Sequence, residues 1–405
     1  MESARVIAGL TRIVRDVGVA EELAQDALVI ALEKWPDAGI PDNPGAWLMG
    51  TAKHRAIDYL RRGTLVDRKH EDLGREMAEK EMQVPHLAAA MDDTIGDDML
   101  RLVFIACHPV LSTEAQVALT LRLLGGLTTD EIARAYLSSE TTIAQRIVRA
   151  KRTLSEGRVA FEMPRGAEFN ARLSSVLQVI YLIFNEGYSA TAGDNWMRPA
   201  LCEEALRQGR ILAELVPNEA EVHGLVALME IQASRAKARV GPSGEPILLL
   251  EQDRGKWDHL LVNRGLSALA RAEKIAATRG PYLIQAEIAA CHARARTNEK
   301  TDWARIAALY GELANVAPSP IVELNRAVAV SMAFGPAAGL QLVDPLQKDP
   351  VLRDYHLLPS VRGDLLKKLG RMQEARAEFE RAASITRNVR ERDLLLERAR
   401  SCGVA

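Results

Sequence analysis

With 405 residues the chain is too long for one compact helical domain and suits two to four. Its 48% hydrophobic and 26% charged residues are those of an ordinary soluble globular protein. No run approaches the roughly 18 apolar residues of a membrane span, and the opening residues lack a signal-peptide stretch. Cys107, Cys202, Cys291 and Cys402 are widely spaced with no CxxC pair, which predicts a cytoplasmic protein with reduced thiols. The net charge of −2 would argue against a nucleic-acid partner, but the charge is segregated. Residues 143–158 carry Arg146, Arg149, Lys151, Arg152 and Arg158 against Glu156, and residues 53–62 carry Lys53, Arg55, Arg61 and Arg62 against Asp58. Between these basic blocks, residues 66–98 hold ten acidic and four basic side chains.

Aromatics make up only 4% of the chain, whereas Ala, Leu, Arg and Glu abound, so a nearly all-α protein is expected. In the first block, residues 1–62, apolar side chains recur at helical spacing in Val6, Leu10, Ile13, Val14 and Val17, then in Leu23, Ala27, Leu28, Ala31 and Leu32. Pro36, Gly39, Pro41, Pro44 and Gly45 mark a loop, and Asn43 or Asp42 could cap a helix from about Pro44 to Arg62. Residues 63–96 read as an acidic, partly helical linker. A second helical block covers 97–157, broken at Pro109 and Gly125-Gly126.

The third region, residues 169–400, is helical and punctuated by Pro199, Pro217, Pro242, Pro281, Pro318, Pro336 and Pro359. Gly363, Leu366, Gly370, Ala375, Phe379 and Ala382 fit the tetratricopeptide pattern of about 34 residues, with small residues where two antiparallel helices meet. Earlier repeats are degenerate, and the proline expected after the last helix is missing near Arg387.

Residues 127–154 carry the strongest functional signal. Thr128 and Glu131 form a capping box, and Ile132, Ala133 and Tyr136 or Leu137 give a short helix its inner side. Ser138 or Ser139 caps a second helix, whose apolar stripe is Ile143, Ile147, Ala150 and Leu154. Thr141, Thr142, Ala144, Gln145, Val148, Arg149 and Arg152 are left largely outward. This is the layout of a helix-turn-helix, with short polar side chains for base edges and arginines for phosphates. The same pattern also suits a solvated amphipathic helix of a bundle.

Residues 127–154 resemble the fourth conserved region of extracytoplasmic-function sigma factors, which binds the −35 promoter element; Leu137-Ser138 stands where the family usually has a glycine turn. The resemblance implies that Thr141, Thr142, Gln145, Arg146, Arg149 and Arg152 contact DNA. Residues 20–28, Ala-Glu-Glu-Leu-Ala-Gln-Asp-Ala-Leu, look like the family's polymerase-docking helix, implying that Glu22, Gln25 and Asp26 face core RNA polymerase. The segment 44–62, from Pro44-Gly45-Ala46-Trp47 to Tyr59-Leu60-Arg61-Arg62, looks like the helix beside the melted −10 element. That implies DNA contacts by Trp47, Lys53, His54, Arg55, Arg61 and Arg62, the cations serving the backbone. Taken singly, Trp47 reads as readily as a core aromatic, His54 as a polar surface residue and Asp58 as a partner for a nearby arginine. Residues 181–191, Tyr-Leu-Ile-Phe-Asn-Glu-Gly-Tyr-Ser-Ala-Thr, with the repeat-like tail, resemble the subgroup with a C-terminal tetratricopeptide-type extension thought to modulate activity. Individual contacts within that extension do not carry over, and its protein or small-molecule partner stays open.

No phosphate loop, HExxH, GxSxG or paired-cysteine site occurs, so no catalytic residue, metal or cofactor is expected. Cys107-His108 and Cys291-His292 point about 100° apart on a helix and read as structural. Asn185-Glu186-Gly187-Tyr188 reads as a helix ending at Gly187, or as the lining of a groove. The competing functional reading is a one-component regulator that joins a helix-turn-helix to a helical-repeat sensor. A scaffold of stacked repeats would leave both basic clusters unexplained.

Overall fold

A computed structural model describes residues 2–70, 91–136, 138–157 and 159–403, with side chains for all of these except 2, 62–70, 91–97 and 134. The chain divides into two units, Met1–Ile180 and Tyr181–Ala405. Both are built from helices, as the composition predicts.

In the first unit the helices are α1 (Glu2–Val14), α2 (Val17–Ala38), α3 (Pro44–His70), α4 (Met91–Ala106), α5 (Thr113–Leu123), α6 (Thr129–Ala135) and α7 (Glu140–Glu156). The long α8 (Ala167–Tyr188) begins in this unit. Arg15 turns the chain between α1 and α2 with a positive φ of 56°, and Asp16 then caps α2 by accepting from the N–H groups of Gly18 and Val19. Asn43 caps α3 through Ala46, with Pro44 in the first turn. Val6, Ile7 and Leu10 of α1 pack with Ala20, Ala24 and Ala27 of α2 and with Leu48, Met49 and Ala52 of α3 in the interior.

The expected end of α3 near Arg62 is corrected: the helix continues to His70. The last buried residue among those with described side chains is Ala56, and every residue from Ile57 to Arg61 is exposed. Good helix formers carry it past the core because no proline stops it and Gly63 costs only about 1 kcal/mol. Most of the expected acidic linker, with Arg158 of the basic block and Leu137 of the turn, lies outside the described residues, as does the side chain of Arg62.

The second unit runs α9 (Pro199–Leu215), α10 (Ala220–Ala233), α11 (His259–Ile275), α12 (Pro281–Arg294), α13 (Trp303–Val316), α14 (Pro320–Phe334), α15 (Pro336–Leu346), α16 (Leu357–Lys368), α17 (Met372–Ile385) and α18 (Val389–Arg400). Consecutive helices pack mainly on their neighbours, as in a solenoid. Pro199, Pro281 and Pro336 open helices rather than merely interrupting them. The recognised repeat is the pair α16–α17: Gly370 makes the turn at φ 76°, and Gly363 lets the buried Phe379 ring close in. A Cβ at Gly363 would meet that ring at 2.9 Å.

The reading of Gly187 as a helix end holds to within one residue, and the glycine has a second role. Helix α8 runs on to Tyr188, and a Cβ at Gly187 would stand 2.6 Å from the backbone N of Cys202, so the glycine permits the α8–α9 approach.

Where the repeat pattern lacks its proline, the chain forms a clasp instead. Residues Ala192–Gly193 (β1) pair in parallel with Arg387–Asn388 (β2). Asn388 is fully buried; its amide donates to the carbonyls of Ala190 (3.1 Å) and Asn195 (2.9 Å), and its oxygen caps α18 at Glu391. Asn388→Ala should destabilise this unit by about 2–4 kcal/mol, because the buried Ala190 carbonyl and the Asn195 carbonyl lose their donor and α18 loses its cap. Denaturant unfolding measures this, and wild-type stability would refute the clasp.

Candidate polymerase and nucleic-acid interfaces

The helix-turn-helix forms as its residues dictate. The Thr128 hydroxyl accepts from the Glu131 N–H (3.2 Å) while Glu131 accepts from the Thr128 N–H (2.8 Å), a reciprocal capping box at the start of α6. Of the two candidate serines it is Ser139 that caps α7, accepting from Thr142 at 3.1 Å. Ile143, Ile147, Ala150 and Leu154 are the buried stripe of α7, while Tyr136 is half-buried at the end of α6.

That burial fixes what α7 leaves outside. Thr141, Gln145, Val148, Arg149 and Arg152 are exposed at spacings that place them on one helix face. Val148 is 62% exposed, an apolar side chain between polar ones. Thr142 is exposed as well, and of the candidates on α7 only Arg146 is less open. The Thr142 hydroxyl bonds to Ser139, Arg146 is half-buried with its charge near Glu114, and Arg152 pairs with Glu156. The Arg152–Glu156 pair is exposed on both sides and so contributes little.

On α2, Glu22, Gln25 and Asp26 are exposed. Val29 and Leu32 continue the same face, 53% and 75% exposed. Leu32, part of the apolar spacing read in the sequence, falls on the outer stripe, ten residues past Glu22. Sequence reasoning missed Val29 and Leu32 as surface residues because apolar spacing alone does not say which stripe faces inward. Asp26 accepts from Arg55 at 2.8 Å, so a residue assigned to polymerase holds one assigned to DNA.

The buried side of α2 holds a charge that no motif announced. Glu21 has a side chain 4% exposed; it accepts from Gln25 (2.9 Å) and from Arg122 Nε (2.6 Å), and Lys151 Nζ lies 2.5 Å from its other oxygen. Two cations from α5 and α7 therefore converge on a carboxylate of α2. Lys151, part of the basic block, is turned inward onto Glu21.

Along α3, His54, Arg55 and Arg61 are exposed and Lys53 is half-buried. Burial, and next the Arg12 charge, push the Lys53 ammonium below its usual pKa. Trp47 is half-buried and packs edge-on against Trp35, ring centres 5.5 Å apart. Trp35 was not singled out from the sequence. Ile57, Tyr59 and Leu60 are also exposed on the projecting part of α3.

Burial raises the thiol pKa of Cys107 and of Cys291, away from the reactive thiolate. Burial pushes the Cys107 thiol up to about 12 against the Thr120 hydroxyl, and the His108 Nδ1 accepts from the Val110 N–H. Among the described residues no three His, Cys, Asp or Glu side chains are placed to hold a metal, and no helix is long and apolar enough to cross a membrane.

Comparison with known proteins agrees with this geometry. Residues 2–65 match Sigma-70 region 2, residues 101–154 match Sigma-70 region 4, and residues 172–273 match a family of unknown function (DUF6596). An uncharacterized protein, R00370 of Rhizobium meliloti (strain 1021), is 41% identical over 96% of this chain and 90% of its own length. The ECF RNA polymerase sigma factor SigK of Mycobacterium sp. (strain KMS) is 32% identical over 35% of this chain and 72% of its own. The probable ECF RNA polymerase sigma factor SigI of Mycobacterium tuberculosis (strain CDC 1551 / Oshkosh) is 28% identical over 37% and 50%. No solved structure matches. Two separate matches to sigma regions fall on the two helical modules that carry the segregated basic charge, and the chain belongs to the ECF RNA polymerase sigma factors of transcription initiation.

Proposed function

We propose that the chain recruits core RNA polymerase through the outer face of α2, lays the −10 strand along α3 and reads the −35 element with α7, while the second unit modulates promoter output. Activity is promoter opening by binding energy, in the cytoplasm, with no covalent step. The observation that carries this reading is the exposed stripe Glu22, Gln25, Asp26, Val29 and Leu32. A one-component regulator needs a DNA-reading helix but has no use for an acidic and apolar docking face in a separate module. Mixed stripes of this kind suit a protein interface, where a buried apolar centre supplies affinity and a charged rim supplies register.

The Asp26–Arg55 pair fits the same assignment. It is about half exposed on both sides and worth under about 1 kcal/mol, so it can hold Arg55 in position before assembly and release it to a phosphate. The −10 contacts proposed are Trp47, Lys53, His54, Arg55, Arg61 and Arg62, beside the edge-on Trp35. The −35 contacts proposed are Thr141, Thr142, Gln145, Arg146, Arg149 and Arg152.

Leu32→Glu tests the docking face. Burying a leucine contributes about 1.5–3 kcal/mol, so its replacement should weaken binding to core polymerase at least roughly tenfold. Binding of the variant to promoter DNA by itself should stay at the wild-type level. Unchanged polymerase affinity by equilibrium titration would remove α2 from the interface.

A further inference from the structure

Between α10 and α11 the second unit leaves its helical pattern for residues 234–258, an insertion longer than a connection between stacked helices requires. It delivers three arginines to one place. Arg239 lies flat on Tyr188, its Cζ 3.4 Å from the ring centre. Arg235 sits between Tyr188 (5.6 Å) and Trp257 (5.7 Å), and Arg254 lies over Trp257 at 5.2 Å. Cations and rings alternate through the stack.

Arg254 is fully used as scaffold. It donates to the carbonyls of His292 (2.7 Å) and Ala295 (2.6 Å), to Asn298 Oδ1 (2.7 Å from Nη2) and to Thr301 Oγ1 (2.9 Å). Arg239, 7% exposed, donates to the Tyr188 carbonyl. None of the three forms an ion pair with a carboxylate among the described residues. Other arginines of the unit do: Arg198 meets Glu186, and Arg210 meets Glu230.

The cluster also holds buried nitrogens without partners: Arg235 Nε, Trp257 Nε1, Trp196 Nε1 and His292 Nδ1. Trp257 and His292 are 5% and 8% exposed, and Trp196 faces Arg239 at 5.5 Å. The arginine and indole nitrogens are donors, and unmet buried donors cost about 1–3 kcal/mol each. The buried Arg239 cation has no carboxylate in ion-pair contact among the described residues, while Glu299 is the acid whose charge reaches Arg254. Both deficits have the same sign. What is missing is negative charge with acceptor lone pairs.

We propose that this stack is the binding site of a small oxyanion, a phosphate or carboxylate group, held by Arg235 and the Trp257 indole N–H with Arg239 behind them. Burial, then the charges of Arg235 and Arg254, push His292 down to about 3, so it stands neutral beside the site and adds no competing ion. Burial likewise lowers the pKa of Arg239. An anion would relieve all of these at once. The site gives the modulatory second unit a ligand class, and its occupancy is read without polymerase, so its failure is separate from failure of the promoter assignment.

Calorimetric titration of the full chain with inorganic phosphate, and separately with citrate, at constant ionic strength against chloride tests the site. Saturable binding of either supports it, and the pair tells a phosphate site from a carboxylate site. Arg235→Gln should weaken that binding at least tenfold. Trp257→Phe, which keeps the ring and removes only the N–H, should weaken it severalfold, while the surface change Arg376→Gln should leave it unaltered. Absence of saturable binding of both anions to the wild type, or equal affinity in Arg235→Gln and Trp257→Phe, would overturn the proposal.

Discussion

Glu21→Ala should destabilise the N-terminal unit by about 3 kcal/mol, toward the lower end of what breaking a buried ion pair costs. The variant leaves Arg122 and Lys151 pointing at an apolar cavity with no carboxylate between them. Both cations keep about a fifth of their side chains in water, which limits the loss. Glu21→Gln keeps the shape and one acceptor for Arg122 but removes the charge, so its cost should fall between wild type and Ala. The functional consequence runs the other way. Lys151 belongs to the helix proposed to read DNA, and releasing it adds one cation to that helix. Measured DNA affinity of Glu21→Gln should therefore rise, with the salt slope steeper by about one. Denaturant unfolding checks the first effect and DNA titration at several salt concentrations the second. Wild-type stability in Glu21→Ala would show that the three residues do not act together.

The second large effect is expected at the exposed face of α7. Gln145→Ala should cost about 1–3 kcal/mol at one base position, seen as relaxed preference for that base and an unchanged salt slope. Arg149→Ala should weaken binding across sequences and reduce the salt slope by about one. Arg146→Ala should do less than Arg149→Ala, because Arg146 is half-buried and its charge lies near Glu114. A titration series over promoter variants separates these cases. Equal effects of Arg146 and Arg149 on the salt slope would mean that burial does not rank them.

The residues that were legible from sequence are those whose role is set locally. The Thr128–Glu131 box, the Ser139 cap and the Ile143, Ile147, Ala150, Leu154 stripe follow from short-range spacing and stand as expected. The same holds for Gly363, Gly370 and Phe379, where one helix pair specifies its own packing. What sequence did not disclose depends on the rest of the fold. Glu21 looks like any helical glutamate until α5 and α7 bring Arg122 and Lys151 to it. Leu32 fits an apolar repeat, and only the placement of α1 and α3 decides that its stripe faces out. Gly187 reads as a helix end, and its second role shows only once α9 arrives beside it. The arginine stack of the second unit joins residues from 188 to 301, with no spacing that a motif could express.

The central assignment is tested most directly by mixing the purified chain with bacterial core polymerase on DNA carrying its mapped promoter. Specific transcripts should start in the mixture and in neither component alone, and Leu32→Glu should reduce them. Promoter binding by the chain without any polymerase-dependent transcript would contradict the account and leave a regulator in its place.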